Sequence, residues 1–329
     1  MEMGTRYMGL ELPSPIVVGA CDLSLNPAML KQLEDYGAGA IVFKSIFEES
    51  IQLESMQLKE LLESEQERAK EISKWYSRIM TSGNDQILKD LKRARKAVKI
   101  PLIASLNAYS EEGWLYYIKV LEQEGIDGFE INFYHTPEDI NLSGQEMEDR
   151  EVAIIEKIVS QTSLPVSVKM TRCYTNPLYT VKRFMEAGAK GVVLFNQYIS
   201  PEIDIESESN LVTFELTQDG AYRESLRFTA LLHGQVEGSI VANTGIYEAE
   251  EAIKLFLAGA DAVQVVSTLY LNQAQQMERI INGIQRWMER KGYENLDDFR
   301  GKCAKKNAID PYAFERAQYV KIMLEDKKI

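Results

Sequence analysis

Eight short apolar runs recur along the chain: Ile16–Ala20, Ala40–Ser45, Pro101–Leu106, Gly128–Phe133, Pro165–Met170, Gly191–Asn196, Ser239–Thr244 and Ala262–Ser267. Each is brief and mostly β-branched or aromatic, the pattern of strands buried on both faces of a parallel sheet. Stretches with helical spacing lie between most of them, among them 26–36, 111–124, 144–161 and 247–257. Four strands share one lead-in, DYGAGAIVF, EQEGIDGFEINF, MEAGAKGVVLF and FLAGADAVQVV, in which a helix ends near a glycine able to take the left-handed cap conformation. Alternating strands and helices imply parallel pairing through right-handed crossovers. Eight such strands favour a closed α/β barrel, the (β/α)8 TIM barrel. An open doubly wound sheet is the competing architecture, and it lacks the GxGxxG expected after its first strand.

Two segments interrupt the repeat. Residues 48–98 form a charged insertion after the second strand, with helices expected around 51–76 and 85–98. Residues 198–227 form an excursion after the sixth strand that reads as solvated and contains a small hairpin. A helix over 273–291 and a helical C-terminal appendage, 293–329, follow the eighth strand. No linker rich in Gly, Pro or Ser divides the chain, so all of 1–329 reads as a single barrel domain.

Composition narrows the function. With 50 acidic against 37 basic side chains the 329-residue chain carries a formal charge of −13, which disfavours nucleic acid and anionic membranes as partners. Cys21, Cys173 and Cys303 are far apart and show no zinc or disulfide spacing, and no metal-ligand cluster surrounds the two histidines. No run approaches the roughly 20 apolar residues of a membrane span, and the first residues lack a signal-peptide core. A reduced, cytoplasmic enzyme or binding protein is the expectation.

In a barrel the chemistry belongs to the carboxyl ends of the strands. Those ends carry Cys21 and Asp22, Lys44 and Ser45, Ser105 and Asn107, Asn132 to His135, Lys169, Asn196, Asn243 to Gly245, and Ser267 and Thr268. Any one of these could be a hydrogen-bonded structural residue, but their convergence on one face predicts a polar, cation-bearing pocket. Paired strand-end carboxylates and a GxSxG elbow are both lacking, which argues against glycoside and serine hydrolysis. Lysines and amides suit an anionic, hydrogen-bond-rich organic group such as a flavin, and ANTGI and VVSTL suit a barrel phosphate site.

Taken in order, GLELPSPIVVGA, GAIVFKS, EIN, PVSVKM, FN, LRFTALL, ANTGI…AGADAVQVVSTL and KGYENLDDFRGK resemble the FMN-dependent dihydroorotate dehydrogenases, the soluble class above all, over about residues 9–303. The resemblance implies an FMN oxidoreductase that converts dihydroorotate to orotate in pyrimidine biosynthesis. It assigns Ala20, Cys21, Lys44, Ser45, Ser105, Asn132, Lys169 and Asn196 to the flavin ring, and Thr244, Gly245, Val266 and Ser267 to its phosphate. Lys44, Asn132 and Asn196 would hold substrate. His135 stands where the family has its cysteine or serine base, with Tyr134 and Cys173 as weaker candidates in the same mouth. Pro137 replaces an expected asparagine, and Val266 an expected glycine. An electron acceptor such as fumarate or a partner protein, and a homodimer, are implied as well. The alternatives are a related FMN flavoprotein with another substrate and a catalytically silent barrel serving as a ligand-binding subunit.

Overall fold

The computed structural model describes residues 1–324 apart from 48–85, 109, 135–138, 200, 212–214 and 219. A hairpin comes first, β1 (Thr5–Tyr7) paired antiparallel with β2 (Leu10–Leu12). Eight parallel strands then close a barrel: β3 (Ile16–Val18), β4 (Ala40–Phe47), β5 (Leu102–Asn107), β6 (Gly128–Asn132), β7 (Val166–Met170), β8 (Gly191–Leu194), and, after a small antiparallel hairpin of β9 (Glu202–Asp204) and β10 (Ser209–Leu211), β11 (Ser239–Ala242) and β12 (Ala262–Val265). All eight expected barrel strands form in chain order, and β12 pairs with β3 to seal the cylinder. The architecture is the (β/α)8 barrel.

Local chemistry fixes the crossovers. Asn26, Ser110, Ser143 and Asn176 each accept backbone N–H groups at the start of a helix, and Pro27 and Pro177 open two of these helices. Gly37, Gly125, Gly188 and Gly259 all have positive φ, so the shared lead-in is a left-handed turn that returns the chain to the next strand. No helix of the described residues is long and apolar enough to cross a membrane.

The N-terminal hairpin, which the periodicity does not announce, plugs the amino end of the barrel. Tyr7 is wholly buried and donates its hydroxyl hydrogen to Ser167 Oγ at 2.6 Å, while Met8 N–H donates to Ser239 Oγ at 2.9 Å. Tyr7, Met8 and Leu12 pack there against Val17, Val42, Ile103 and Val241. With that end filled by side chains, the opposite end is left for a ligand.

The helix expected around 51–76 lies outside the described residues. The helix expected around 85–98 forms at 86–97, with Leu91 and Ala94 buried in the core between β4 and β5 in the chain. The helix after β10 begins at Tyr222, inside the span assigned to the excursion, because Tyr222 and Ser225 face inward among residues that read as a charged surface. Beyond β12 the expected helix over 273–291 forms as Gln275–Lys291, preceded by a short helix, Ser267–Asn272, which ends at Gln273 with φ 63°. The C-terminal appendage consists of 3-10 turns and a helix, Ala317–Leu324, and is anchored through Phe299, which is buried against Trp287 and Tyr293.

Candidate active site

A cavity of about 440 Å³ opens at the carboxyl ends of the barrel strands, within the size range of small-molecule sites. At its floor three side chains from three strands meet. Lys169 of β7 donates to Gln264 Oε1 of β12 at 3.3 Å, and Gln264 Nε2 donates to Glu130 Oε2 of β6 at 2.5 Å. Lys169 Nζ lies 3.7 Å from the other oxygen, Glu130 Oε1, which accepts no hydrogen bond among the described residues although the side chain is completely buried. Burial, reinforced by the Glu130 charge, pushes the Tyr7 phenol beneath this group well above its ordinary pKa.

Asn132 and Asn196 form one wall. Asn196 Nδ2 donates to Asn132 Oδ1 at 2.8 Å, and Asn196 Oδ1 accepts the N–H of Gln197 at 3.1 Å. Asn132 is paired in register with Lys169 on β7, so the amide pair stands next to the cationic floor.

Lys44 and Ser45 reach the mouth through an irregularity. The β4–β5 register shifts between Phe43 and Ile46, and this bulge re-aims the two intervening side chains. Lys44 Nζ is 2.6 Å from Asp22 Oδ1, and both side chains remain about half exposed or more. The Lys44 N–H donates to Ser24 Oγ at 2.8 Å, and Ser24 Oγ donates to the Cys21 carbonyl at 2.8 Å, tying the end of β4 to the turn after β3. Ser45 Oγ is 2.7 Å from Ser105 Oγ. Ser105 is fully buried and meets the cavity only through this contact with Ser45, which does line it. Ala20 and Cys21 do line the cavity, and burial raises the Cys21 thiol to about 11.

The far wall is built after β11 and β12. Thr244 and Gly245 both have positive φ, 79° and 69°, and Thr244 Oγ1 donates to the Phe195 carbonyl at 2.7 Å. A Cβ on Gly245 would lie 2.7 Å from the Tyr222 nitrogen, so only glycine fits this turn. The Gly245 N–H donates to Thr217 Oγ1 at 3.3 Å, and Ser267 Oγ accepts from Thr217 Oγ1 at 2.9 Å and from Thr217 N–H at 3.2 Å. Thr217 thus meets two of the residues expected to bind phosphate, and Val266 lines the cavity beside them.

His135 and Pro137 lie outside the described residues. Tyr134 lines the cavity and its hydroxyl accepts the Ile199 N–H at 2.8 Å, with its ring edge-on to Tyr198. Cys173 is exposed beside the Tyr198 hydroxyl and does not line the cavity. The second histidine, His233, sits outside the cavity lining, against the Gly259 carbonyl. Among the described residues no group of three or more His, Cys, Asp or Glu side chains could hold a metal.

Sequence reasoning missed Glu130, Gln264 and Thr217. A signal exists for the first two, since GFEIN and AVQVV each carry a polar residue, Glu130 and Gln264, in the interior of an apolar strand. Thr217 has none, being one polar residue in a charged excursion.

The family model described as dihydroorotate dehydrogenase matches residues 78–288, more than half of the chain. The catalytic subunit of dihydroorotate dehydrogenase B (NAD(+)) from Caldicellulosiruptor bescii is 24% identical over 312 residues, covering 92% of this chain and 99% of that protein. Dihydroorotate dehydrogenase A (fumarate) from Lactobacillus delbrueckii subsp. bulgaricus is 24% identical over 233 residues, covering 68% and 75%. The chloroplastic dihydropyrimidine dehydrogenase (NADP(+)) of Arabidopsis thaliana is 20% identical over 327 residues, covering 91% and 76%.

Proposed function

The chain belongs to the dihydroorotate dehydrogenase family, and on that premise we propose that it is an FMN-dependent oxidoreductase acting on a CH–CH bond, oxidising dihydroorotate to orotate in pyrimidine biosynthesis. The observation that carries the proposal is the meeting of Lys44, Lys169, Asn132 and Asn196 in one cavity at the carboxyl ends of the barrel strands.

The donor set fits FMN. A buried ammonium at the floor favours the electron-rich edge of a ring that gains charge on reduction. The amides of Asn132 and Asn196 match alternating N–H and carbonyl groups. Gly245, held in a turn that admits no side chain, allows backbone to approach a phosphate together with Thr244, Val266 and Ser267. Ala20, Cys21 and Ser45 complete the ring side, with Ser105 acting through Ser45. When bound, FMN supplies a two-electron acceptor.

The remaining work falls to this chain's side chains. Asn132 and Asn196, locked to each other, hold the cyclic amide in one orientation. Lys44 at the mouth exchanges its Asp22 partner for the substrate carboxylate. His135, three residues after Asn132 in the sequence, takes the substrate C5 proton, a role for which an imidazole is suited near neutral pH. Fumarate or a partner protein accepts the electrons, and the protein works as a cytoplasmic homodimer.

The test is the visible spectrum of the purified protein with and without dihydroorotate. Flavin absorbance that bleaches on addition supports the proposal. A yellow protein that dihydroorotate leaves unchanged rejects the substrate but keeps the cofactor, and a panel of other reduced pyrimidines then identifies the alternative. A colourless protein that fails to bind added FMN rejects both.

A further inference from the structure

The chain Lys169–Gln264–Glu130 has a direction. The Gln264 amide turns its oxygen to the ammonium and its NH2 to the carboxylate. Reversing it would set donor against donor and acceptor against acceptor, so its orientation is fixed by a cation on one side and an anion on the other. All three groups are buried, at 5%, 1% and 0% exposure, where charge interactions are strong and little screened.

The cation is loosely held. Its contacts of 3.3 Å to Gln264 and 3.7 Å to Glu130 exceed the roughly 2.7–2.9 Å of a well-formed charge-assisted hydrogen bond. An ammonium has three N–H donors, and Lys169 lines the cavity, so it retains donor capacity toward a ligand. Glu130 does not line the cavity and, among the described residues, keeps one oxygen without a hydrogen bond. It acts on a ligand only through Lys169 and the field it adds.

We propose that Glu130 is a positioning residue that, directly and through Gln264, partly neutralises Lys169 and so sets how strongly the cavity floor prefers a ligand in its more negative state. Resting on the FMN proposal, this means that Glu130 holds the midpoint potential of the bound flavin below the value that Lys169 alone would impose. Removing the negative charge raises the potential, and a side chain that keeps the charge leaves it near its wild-type value.

The experiment measures the flavin midpoint potential by equilibration with reference dyes in wild type, Glu130→Gln, Glu130→Ala and Glu130→Asp. The expected results are a rise for Glu130→Gln and for Glu130→Ala, which both remove the charge, and a value near wild type for Glu130→Asp, which keeps it. A tenfold change in the affinity ratio of reduced to oxidised FMN corresponds to about 30 mV for a two-electron couple, and shifts of at least that size are expected. Should one neutral variant fail to fold, the sign of the other decides. Unchanged or lowered potentials in the neutral variants, or a rise of the same size in Glu130→Asp, overturn the proposal while leaving flavin binding intact. A wild-type protein that does not hold FMN overturns both.

Discussion

Asn196 Nδ2 donates to Asn132 Oδ1 at 2.8 Å, joining the loop after β8 to the end of β6 across the cavity wall. The pair removes rotational freedom from two amides at once, since Asn196 Oδ1 is held in turn by the Gln197 N–H. Two amides that brace each other present a fixed pattern of donors and acceptors, as recognition of a cyclic amide requires.

Asn196→Ala is therefore expected to lower kcat/KM for dihydroorotate by about tenfold to a hundredfold, the cost of one to two lost or misdirected polar contacts in a buried site. Flavin absorbance should survive. Steady-state kinetics beside the spectrum of the same preparation checks this, and an unchanged kcat/KM would remove the amide pair from the substrate site.

Lys44 offers a contrasting outcome. It is half exposed and pairs with Asp22 at the rim, an ion pair of the kind that adds about 0–1 kcal/mol to stability. Lys44→Ala should leave the unfolding midpoint and FMN content near wild type while raising KM for a carboxylate-bearing substrate about tenfold or more. Loss of FMN instead of a KM effect would move Lys44 from substrate to cofactor.

The legibility of the molecule follows the physics of each element. Barrel strands buried on both faces announce themselves as apolar runs, and the left-handed turns at Gly37, Gly125, Gly188 and Gly259 are visible because few other residues tolerate that conformation. The Tyr7 plug is hidden because β1 and β2 have only three residues each, too few to establish a period. Lys44, Lys169, Asn132 and Asn196 were readable as polar residues at strand ends. Ser105 is equally readable at a strand end, but its contact with Ser45 is not, since it depends on the β4–β5 bulge. Thr217 reaches Gly245 and Ser267 through a tertiary path that no local pattern encodes.

Cys21 lines the cavity, yet burial raises its thiol to about 11. At pH 8 about one molecule in a thousand then carries the reactive thiolate. Thiol titration of the native protein should therefore show rapid reaction of the exposed Cys173 and Cys303 and slow reaction of Cys21. Unfolding in urea should make all three equally reactive. Rapid modification of a third thiol in the folded protein would contradict the burial of Cys21.

His233 makes stability depend on pH. Its Nδ1 lies 3.2 Å from the Gly259 carbonyl, which can only accept, so Nδ1 carries the hydrogen. Burial, with Lys306 and Arg300 nearby, holds the imidazole below its ordinary pKa, against a smaller opposing contribution from the Gly259 hydrogen bond. A histidine depressed in the folded state stays neutral there while the unfolded chain takes up a proton at about 6.5. The unfolded state then binds more protons, so stability is lost as pH falls below about 7 and levels off beneath the folded pKa. His233→Gln keeps a side-chain N–H for the carbonyl but does not titrate. Between pH 7.5 and 5.5 the urea midpoint of wild type should fall more than that of His233→Gln, and with only two histidines in the chain the difference isolates this one. Parallel profiles would show that His233 titrates alike in both states.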